Sequence, residues 1–413
     1  MNFSRYFPGN HMFRAFKHRN YRLFFAGQGV SLMGTWIQQI AVSWLVYQLT
    51  NSALLLGIAG FASQIPVFFL TPVGGVFADR WNRRWILLVT QFMSMLLAFM
   101  LTFLFFRGDI IVWQVITISF LLGCVNAFDM PARHSFVNDI VAGRKDIGNA
   151  IALNSFLFNS ARLIGPAIAG IIIARSSEGV CFLINAFSFI AVLAALSAMD
   201  TDDINILQLK RQHPIKELMQ GLKYAAGNRR IRNILAFGLM IGLVGMPYAV
   251  LMPIYARDVM HGNAATLGFL TGAAGLGALT GALFLARKKD VDGLEKIICA
   301  TCMIFGSGLI LLSFSEIFAL SLVLMFFCGL GLMLQMSSSN VTLQTIVDDD
   351  MRGRIMSLYI FAFMGSAPFG SLIAGATAQR IGLQTTLMIS GIICMLAACI
   401  FFLVMKSGEA KHR

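Results

Sequence analysis

Long apolar stretches alternate with short polar ones along nearly the whole chain. A helix needs about 20 predominantly apolar residues to cross a bilayer, and we count twelve stretches of that length. The predicted spans cover residues 24–49, 53–77, 85–106, 110–130, 148–174, 179–199, 231–256, 265–286, 294–314, 317–346, 354–378 and 382–405. The pattern predicts an all-α multi-pass membrane protein with twelve transmembrane helices.

Composition supports a membrane protein. Of the 413 residues, 57% are hydrophobic and only 12% are charged. The charged residues are too few to form the polar surface that such an apolar chain would need in water. The net charge of +13 is compatible with nucleic-acid binding, but the Lys and Arg residues lie at alternate helix ends rather than on one basic domain. The charge therefore indicates membrane topology, and we expect no nucleic-acid partner.

The longest polar stretch divides the chain into two halves of six spans each. We predict an N-terminal six-helix bundle over 1–200, a cytoplasmic loop over 201–228 and a C-terminal six-helix bundle over 229–413. Shifting one half by about 205 residues places Leu153 on Leu358 and Gly165 on Gly370. This weak internal repeat is typical of parallel duplication and predicts two pseudo-symmetric bundles.

The positive-inside rule orients the chain. Most Lys and Arg residues lie on the face that carries the N-terminus, and the opposite face keeps only Arg107, Arg175, Arg257 and Arg380. Both termini are therefore predicted to be cytoplasmic. The basic segment 2–22 precedes a full-length span without a small-residue cleavage site, so we expect an anchor and not a removable signal.

The sequence gives no indication of a cofactor or a metal. Its seven cysteines lie in predicted spans, where the thiol behaves as a small hydrophobe. Cys299 and Cys302 have CxxC spacing, but no second Cys or His pair accompanies them. There is also no GxxxxGK[ST] motif, so the energy source is expected to be an ion gradient.

A charged segment separates the second and third predicted spans. It runs from Gly75 to Arg84 and contains Asp79, Arg80 and Arg83. A glycine permits close helix approach, the aspartate places an anion at a membrane boundary, and the arginines can pair with neighbouring helix ends.

This segment resembles the signature of the major facilitator superfamily, Gly-x-x-x-Asp-Arg-x-x-Arg-Arg. Residues 126–133 and 352–359 are similar to motifs of the branch that contains siderophore exporters. With twelve spans in two sets of six, the resemblance covers the whole chain. It implies a monomeric secondary transporter of the bacterial inner membrane, not an enzyme, that alternates access between the two sides and exchanges protons for substrate.

The resemblance also implies a gate. In the family the signature closes the cytoplasmic side. We expect an arginine such as Arg354, at the start of the eleventh predicted span, to reach Asp129 near the inner end of the fourth. Arg133 follows Asp129 by one helical turn. The alternative is that these arginines only set topology. Asp129 is also the best candidate proton carrier, because a membrane-embedded carboxylate usually has that role.

Helix 5 carries a second signature. Gly165, Pro166 and Gly170 resemble the antiporter motif of drug exporters, and Ala161, Gly165 and Ala169 form a stripe of small residues. The resemblance favours export. Such stripes also occur in membrane helices that simply pack closely, so that alternative stays open.

The sharpest substrate-site prediction lies on another face of helix 5. Ser155, Asn159 and Arg162 recur at i, i+4 and i+7, which places a permanent cation about midway across the bilayer. An arginine there costs about 2.5–3.5 kcal/mol on insertion scales, so it needs a partner or a wet cavity. No acidic residue lies at matching depth in the first half, and an anionic substrate would supply the charge. Alternatively, backbone carbonyls and amide side chains neutralise it.

Other polar and aromatic residues at mid-depth are candidates for the cavity wall: Trp36, Gln38, Gln64, Tyr248 and Gln335. Adjacent Gln38 and Gln39 point about 100° apart, so one is expected to bond a neighbouring helix. The sequence thus predicts export of an amphipathic anion such as a siderophore, with protons and membrane lipid as further partners. A broad-specificity drug antiporter, a siderophore importer and a lipid flippase are the alternatives.

Overall fold

The computed structural model describes residues 11–141, 144–200, 214–288 and 293–409. A 3₁₀ turn over His11–Lys17 precedes the first long helix. The helices are α1 (Arg19–Thr50), α2 (Ala53–Arg80), α3 (Arg83–Arg107), α4 (Val112–Ile140), α5 (Arg144–Arg175), α6 (Glu178–Ser197), α7 (Pro214–Gly227), α8 (Arg229–Met240), α9 (Tyr248–Ile254), α10 (Ala264–Arg287), α11 (Leu294–Phe314), α12 (Phe318–Ile346), α13 (Asp349–Ile381) and α14 (Leu383–Glu409).

The prediction of an all-α multi-pass membrane protein is confirmed. Eleven helices among the described residues are long and apolar enough to cross a membrane. One of them, Arg229–Val259, comprises α8, the π-helical segment Ile241–Gly245, α9 and a second π-helical segment, Tyr255–Val259. The remaining predicted span, 24–49, corresponds to α1, which has 32 residues but lacks a stretch as apolar as those of the eleven. Glutamines at 28, 38 and 39 account for part of that polarity.

Two segments differ from the sequence-based boundaries. The fourth span was predicted to end at residue 130, but α4 continues through Pro131 to Ile140. A proline removes one helix hydrogen bond without ending a membrane helix when neighbouring helices compensate. The predicted loop over 201–228 contains α7, whereas residues 201–213 lie outside the described part of the chain.

The chain forms two compact units. The first comprises Met1–Val42 and Ile65–Leu209, and the second comprises Ser43–Gln64 and Lys210–Arg413. The hairpin between α1 and α2 thus belongs to the second unit. The sequence-based bundles over 1–200 and 229–413 stay a prediction.

The two units repeat the same helix pairing. In the first unit α3 packs against α4 and α6, and in the second α11 packs against α12 and α14. The first unit has a core in which Tyr21, Phe24, Leu87 and Phe136 are buried. Large apolar side chains such as Phe103, at 64% exposure, cover its outside. Such an apolar exterior is expected where lipid replaces water.

Glycines allow α10 and α12 to touch backbone to backbone. A Cβ atom at Gly277 would lie 1.9 Å from the Phe326 carbonyl oxygen, and one at Gly329 would lie 1.8 Å from that of Ala274. Small residues permit this approach, which is a main source of packing energy between membrane helices.

Gly329→Ala is therefore expected to destabilise the second unit. The new methyl group meets a backbone carbonyl, so the helices must separate, at a cost of about 1–3 kcal/mol or more. The measurement is the apparent melting temperature and the monodisperse yield in detergent. The matched control is Gly148→Ala in α5, where a Cβ meets no described atom within 4 Å. Equal melting temperatures for the two variants would contradict this packing.

Candidate transport site and gating residues

Arg162 lies near the middle of α5 and faces an aromatic side chain of α1. Its guanidinium carbon is 5.9 Å from the centroid of the Trp36 ring. Phe158 packs edge-on against the same indole with the ring centroids 5.8 Å apart. A cation over an aromatic face gains about 0.5–2 kcal/mol, depending on how far it is desolvated. Trp36 thus orients the guanidinium without neutralising it.

Arg162 has no anionic partner in the described part of the chain. No described carboxylate oxygen lies within 4.0 Å of its guanidinium, and the side chain is only partly buried. The Asn159 amide donates to the carbonyl oxygen of Ser155 at 2.8 Å, and Ser155 is exposed. This face of α5 therefore presents a cation beside an accessible polar turn.

Close packing of α5 on α1 holds this arrangement. A Cβ at Gly165 would lie 2.6 Å from the Trp36 Cβ atom, and Ala161 and Ala169 are buried. The small-residue stripe is therefore a contact surface at this point. Pro166 and Gly170 are buried in the same helix. Their role in export stays a prediction.

Gln38 bonds a neighbouring helix. It is buried, and its Oε1 atom accepts a hydrogen bond of 2.8 Å from the Asn185 amide of α6. The adjacent Gln39 is exposed. The expectation that one of the two glutamines bonds a neighbour is confirmed, and the bond argues against a place for Gln38 in the cavity wall.

The remaining wall candidates lie in the second unit. Gln64 donates to the Gly60 carbonyl of its own helix at 3.4 Å. Tyr248 is buried, with its ring 5.7 Å from that of Phe305. Gln335 is also buried and donates to the Ser339 hydroxyl at 3.2 Å. Their contact with substrate stays a prediction.

The charged segment between α2 and α3 is held to the end of α4. The Arg83 guanidinium donates to both carboxylate oxygens of Asp139, at 2.6 and 2.8 Å, and to the Ala78 carbonyl oxygen at 2.9 Å. Asp139 was not predicted as a site residue because the fourth span was predicted to end at residue 130, whereas α4 ends at Ile140. Extending that helix past Pro131 would have brought this carboxylate to the same membrane boundary.

The other residues of the signature segment do not take part in the Arg83–Asp139 ion pair. Arg84 donates to the Leu196 and Ser197 carbonyl oxygens at the end of α6, where free carbonyls attract a cation. Arg80 is exposed and Asp79 is partly buried. The expectation that Gly75 permits close helix approach is wrong, because a Cβ there would meet no described atom within 4 Å. Gly74 has that role, since its Cβ would lie 2.2 Å from the Ala127 carbonyl oxygen.

Asp129 lies inside the first unit and not near the end of α4, as the sequence had suggested. It is 2% exposed and forms an ion pair with Arg133 one turn later. Thr90 and Gln91 of α3 donate to its Oδ1 atom at 2.9 and 2.7 Å. A buried carboxylate is stable only with such partners. Arg354, the predicted partner from α13, packs beside Gly221 of α7.

Removing either partner of the Arg83–Asp139 pair is expected to impair transport. Arg83→Gln and Asp139→Asn should each lower transport severalfold, and the double variant should be no worse than either single one because both delete the same contact. The measurement is the transport rate in proteoliposomes, with surface expression as control. Strictly additive losses would contradict coupling through this pair.

A second polar cluster lies where α1 approaches the Tyr255–Val259 segment within the second unit. The Tyr47 hydroxyl donates to the Asp258 carboxylate, and Arg257 donates to the Asn51 amide oxygen at 2.7 Å. The Arg257 guanidinium carbon is also 5.6 Å from the Tyr47 ring centroid. Tyr47, Asn51 and Asp258 line a cavity of about 470 Å³. The cluster could not be predicted from sequence because its members are distant in the chain.

The repeated helix pairing and the apolar spans define a multi-pass transporter with the major facilitator fold. The chain belongs to the family described as transmembrane secretion effector, whose pattern matches residues 11–412. Its members are transporters and not enzymes, in agreement with the resemblance seen in the signature segment.

Known relatives support this assignment. The chain is 28% identical to the staphyloferrin A transporter of Staphylococcus aureus, over 95% of this chain and 99% of the relative. It is 25% identical to macrolide efflux protein A of Streptococcus pyogenes, over 93% and 96% of the two chains. Among solved structures, a D-xylose-proton symporter matches with a TM-score of 0.73 at 15% identity, over 92% of this chain and 96% of that one. That similarity shows the fold alone.

Proposed function

We propose that this protein exports an amphipathic anion, such as a siderophore, across the bacterial inner membrane in exchange for protons. The observation that carries the proposal is the position of Arg162. This permanent cation lies midway along a membrane helix, partly exposed and without a described carboxylate partner. The transporter would alternate access by rocking its two six-helix halves.

The chemistry of this site fits an amphipathic anion. A guanidinium binds carboxylate or phenolate oxygens with two parallel hydrogen bonds, and the flanking Trp36 and Phe158 rings offer apolar contact. Substrate charge would offset the cost of keeping an arginine in the membrane. Ser155 and Asn159 would supply further hydrogen bonds on the same face.

The remaining assignments follow from topology. Both termini and the α2–α3 segment would be cytoplasmic, because the basic residues lie on that side. Asp79, Arg80, Arg83, Arg84 and Arg354 would form the inner gate, as the resemblance to the family implies, and Asp139 would take part through its ion pair with Arg83. Asp129 would carry the proton, since it is a buried carboxylate inside a spanning helix.

Drug efflux is the second candidate function. It is favoured by the similarity to a macrolide efflux protein and by the Gly165-Pro166 motif of α5. A drug antiporter would tolerate neutral and cationic substrates, whereas an anion exporter would require the Arg162 charge.

A panel of labelled compounds distinguishes these functions. Inside-out vesicles with an acid interior would be offered staphyloferrin A, a catecholate siderophore, the macrolide erythromycin and a fluorescent phospholipid. The proposal predicts accumulation of at least one siderophore and inhibition of that flux by excess unlabelled siderophore. Accumulation of erythromycin alone would favour drug efflux, and phospholipid movement alone would favour a flippase. Siderophore flux only in right-side-out vesicles would indicate import.

A further inference from the structure

A chain of buried polar side chains leads from α1 to Asp129 within the first unit. The Ser31 hydroxyl of α1 donates to the Oε1 atom of Gln91 at 3.5 Å, and the Gln91 amide nitrogen donates to Asp129 Oδ1 at 2.7 Å. Thr90 donates to the same oxygen. Ser31, Gln91, Thr90 and Asp129 are all buried. Three helices thus contribute to one polar path in an otherwise apolar unit.

Buried polar atoms that have no partner in the described part of the chain lie near both ends of this path. Gln28 lies about one turn before Ser31 on the same face of α1 and is 1% exposed, yet neither of its amide atoms is hydrogen-bonded. At the other end, the Nε atom of Arg133 is buried and also lacks a partner. Buried polar groups in proteins are almost always satisfied, and ordered water commonly satisfies those that protein atoms do not reach.

The second unit contains a neutral counterpart. A shift of 206 residues places Asp129 on position 335 (129 + 206) and Arg133 on position 339 (133 + 206), which are Gln335 and Ser339. Those two side chains form an i, i+4 hydrogen bond of 3.2 Å, just as Asp129 and Arg133 form an i, i+4 ion pair. Of these two matched pairs, only the one in the first unit can take up and release a proton.

We infer that Gln28 and Ser31 hold internal water that relays protons to the Asp129 carboxylate. This inference rests on the proposed proton exchange. A water molecule at Gln28 would pass one proton toward Asp129 and receive another from the next water, so no atom is consumed. The carboxylate would become a neutral carboxylic acid, and its ion pair with Arg133 would weaken. Loss of the proton to the opposite side would restore the pair.

Gln28, Thr90 and Gln91 are positioning residues in this scheme. An amide does not itself relay protons readily, so Gln91 fixes the carboxylate, and the proton would reach Asp129 through water that Gln28 and Ser31 hold beside it. The charged or titratable groups beside Asp129 on α4 are Arg133 and His134. The contacts from α1 and α3 along the path come from neutral side chains.

The test compares proton movement with substrate exchange in proteoliposomes that contain the full chain and a pH-sensitive dye. Gln28→Leu has nearly the same size but cannot hold water. It should reduce substrate-dependent proton flux severalfold and shift its pH profile, while substrate exchange at equal pH on both sides stays close to wild type. Ser31→Ala should act in the same direction, and Gln28→Asn should restore part of the flux.

Thr102→Val is the matched control. Thr102 is buried in α3, like Gln91, but among the described residues its hydroxyl bonds only the Ala98 carbonyl of its own helix. If the wild type couples protons normally and Gln28→Leu and Ser31→Ala behave like Thr102→Val, the relay is wrong and the proposed function stands. If the wild type transports substrate without proton flux, the proposed coupling fails and the relay fails with it.

Discussion

Arg162→Ala should abolish accumulation of an anionic substrate while leaving the protein folded. The change removes the cation on α5 that is proposed to pair with substrate, and it leaves no buried carboxylate behind because none is bound to Arg162 among the described residues. Truncating a charged partner of a buried ligand costs about 2–5 kcal/mol, so apparent affinity should fall by more than tenfold. Arg162→Lys should retain part of the activity, since lysine keeps the positive charge but cannot form the bidentate hydrogen bonds of a guanidinium.

The matched control is Arg107→Ala at the end of α3. Arg107 is 64% exposed and pairs with Asp109, so this variant makes the same change in net charge away from the site. The measurement is initial uptake against substrate concentration for anionic and neutral compounds. If Arg162→Ala reduces the uptake of neutral and anionic substrates equally, Arg162 has a structural role and does not select for anions.

Asp129→Asn should separate substrate movement from proton movement. Asparagine has nearly the same shape and keeps an acceptor for Thr90 and Gln91, but it cannot carry a proton. We expect gradient-driven accumulation to fall to the level of passive exchange. The change also leaves Arg133 unpaired and should lower the free energy of unfolding. Breaking a buried ion pair costs about 3–5 kcal/mol, and the cost should be somewhat smaller here because Arg133 is partly exposed.

Two comparisons keep this result interpretable. Asp109→Asn changes a carboxylate that is 77% exposed and should have no effect on coupling. The double variant Asp129→Asn/Arg133→Gln removes the unpaired charge and should recover stability without recovering coupling. Normal proton-driven accumulation by folded Asp129→Asn would exclude Asp129 as the carrier.

The helices could be predicted from sequence because lipid demands a long apolar run for each span. Arg162 could be singled out for the same reason, since a lone cation in such a run is costly. The extent of α4 could not be predicted from apolarity, because its last turns past Pro131 are polar. Ending it early hid Asp139 and placed Asp129 at the wrong depth.

Contacts between distant parts of the chain were not visible in the sequence. Tyr47 and Asp258 lie 211 residues apart, and neither falls in a motif. The choice between Gln38 and Gln39 depended on where Asn185 lies. Likewise, the signature indicated that Gly75 permits close helix approach, whereas Gly74 is the glycine that packs against α4. A motif records residue types and does not show which way each side of a helix faces.

The most direct test of the account is siderophore accumulation by the purified wild-type protein in inverted proteoliposomes, with the internal pH set below, equal to or above the external pH. The account predicts uptake above equilibrium only with an acid interior, together with release of protons from the lumen. Uptake that is independent of the pH gradient, or that requires an alkaline interior, would contradict proton-driven export.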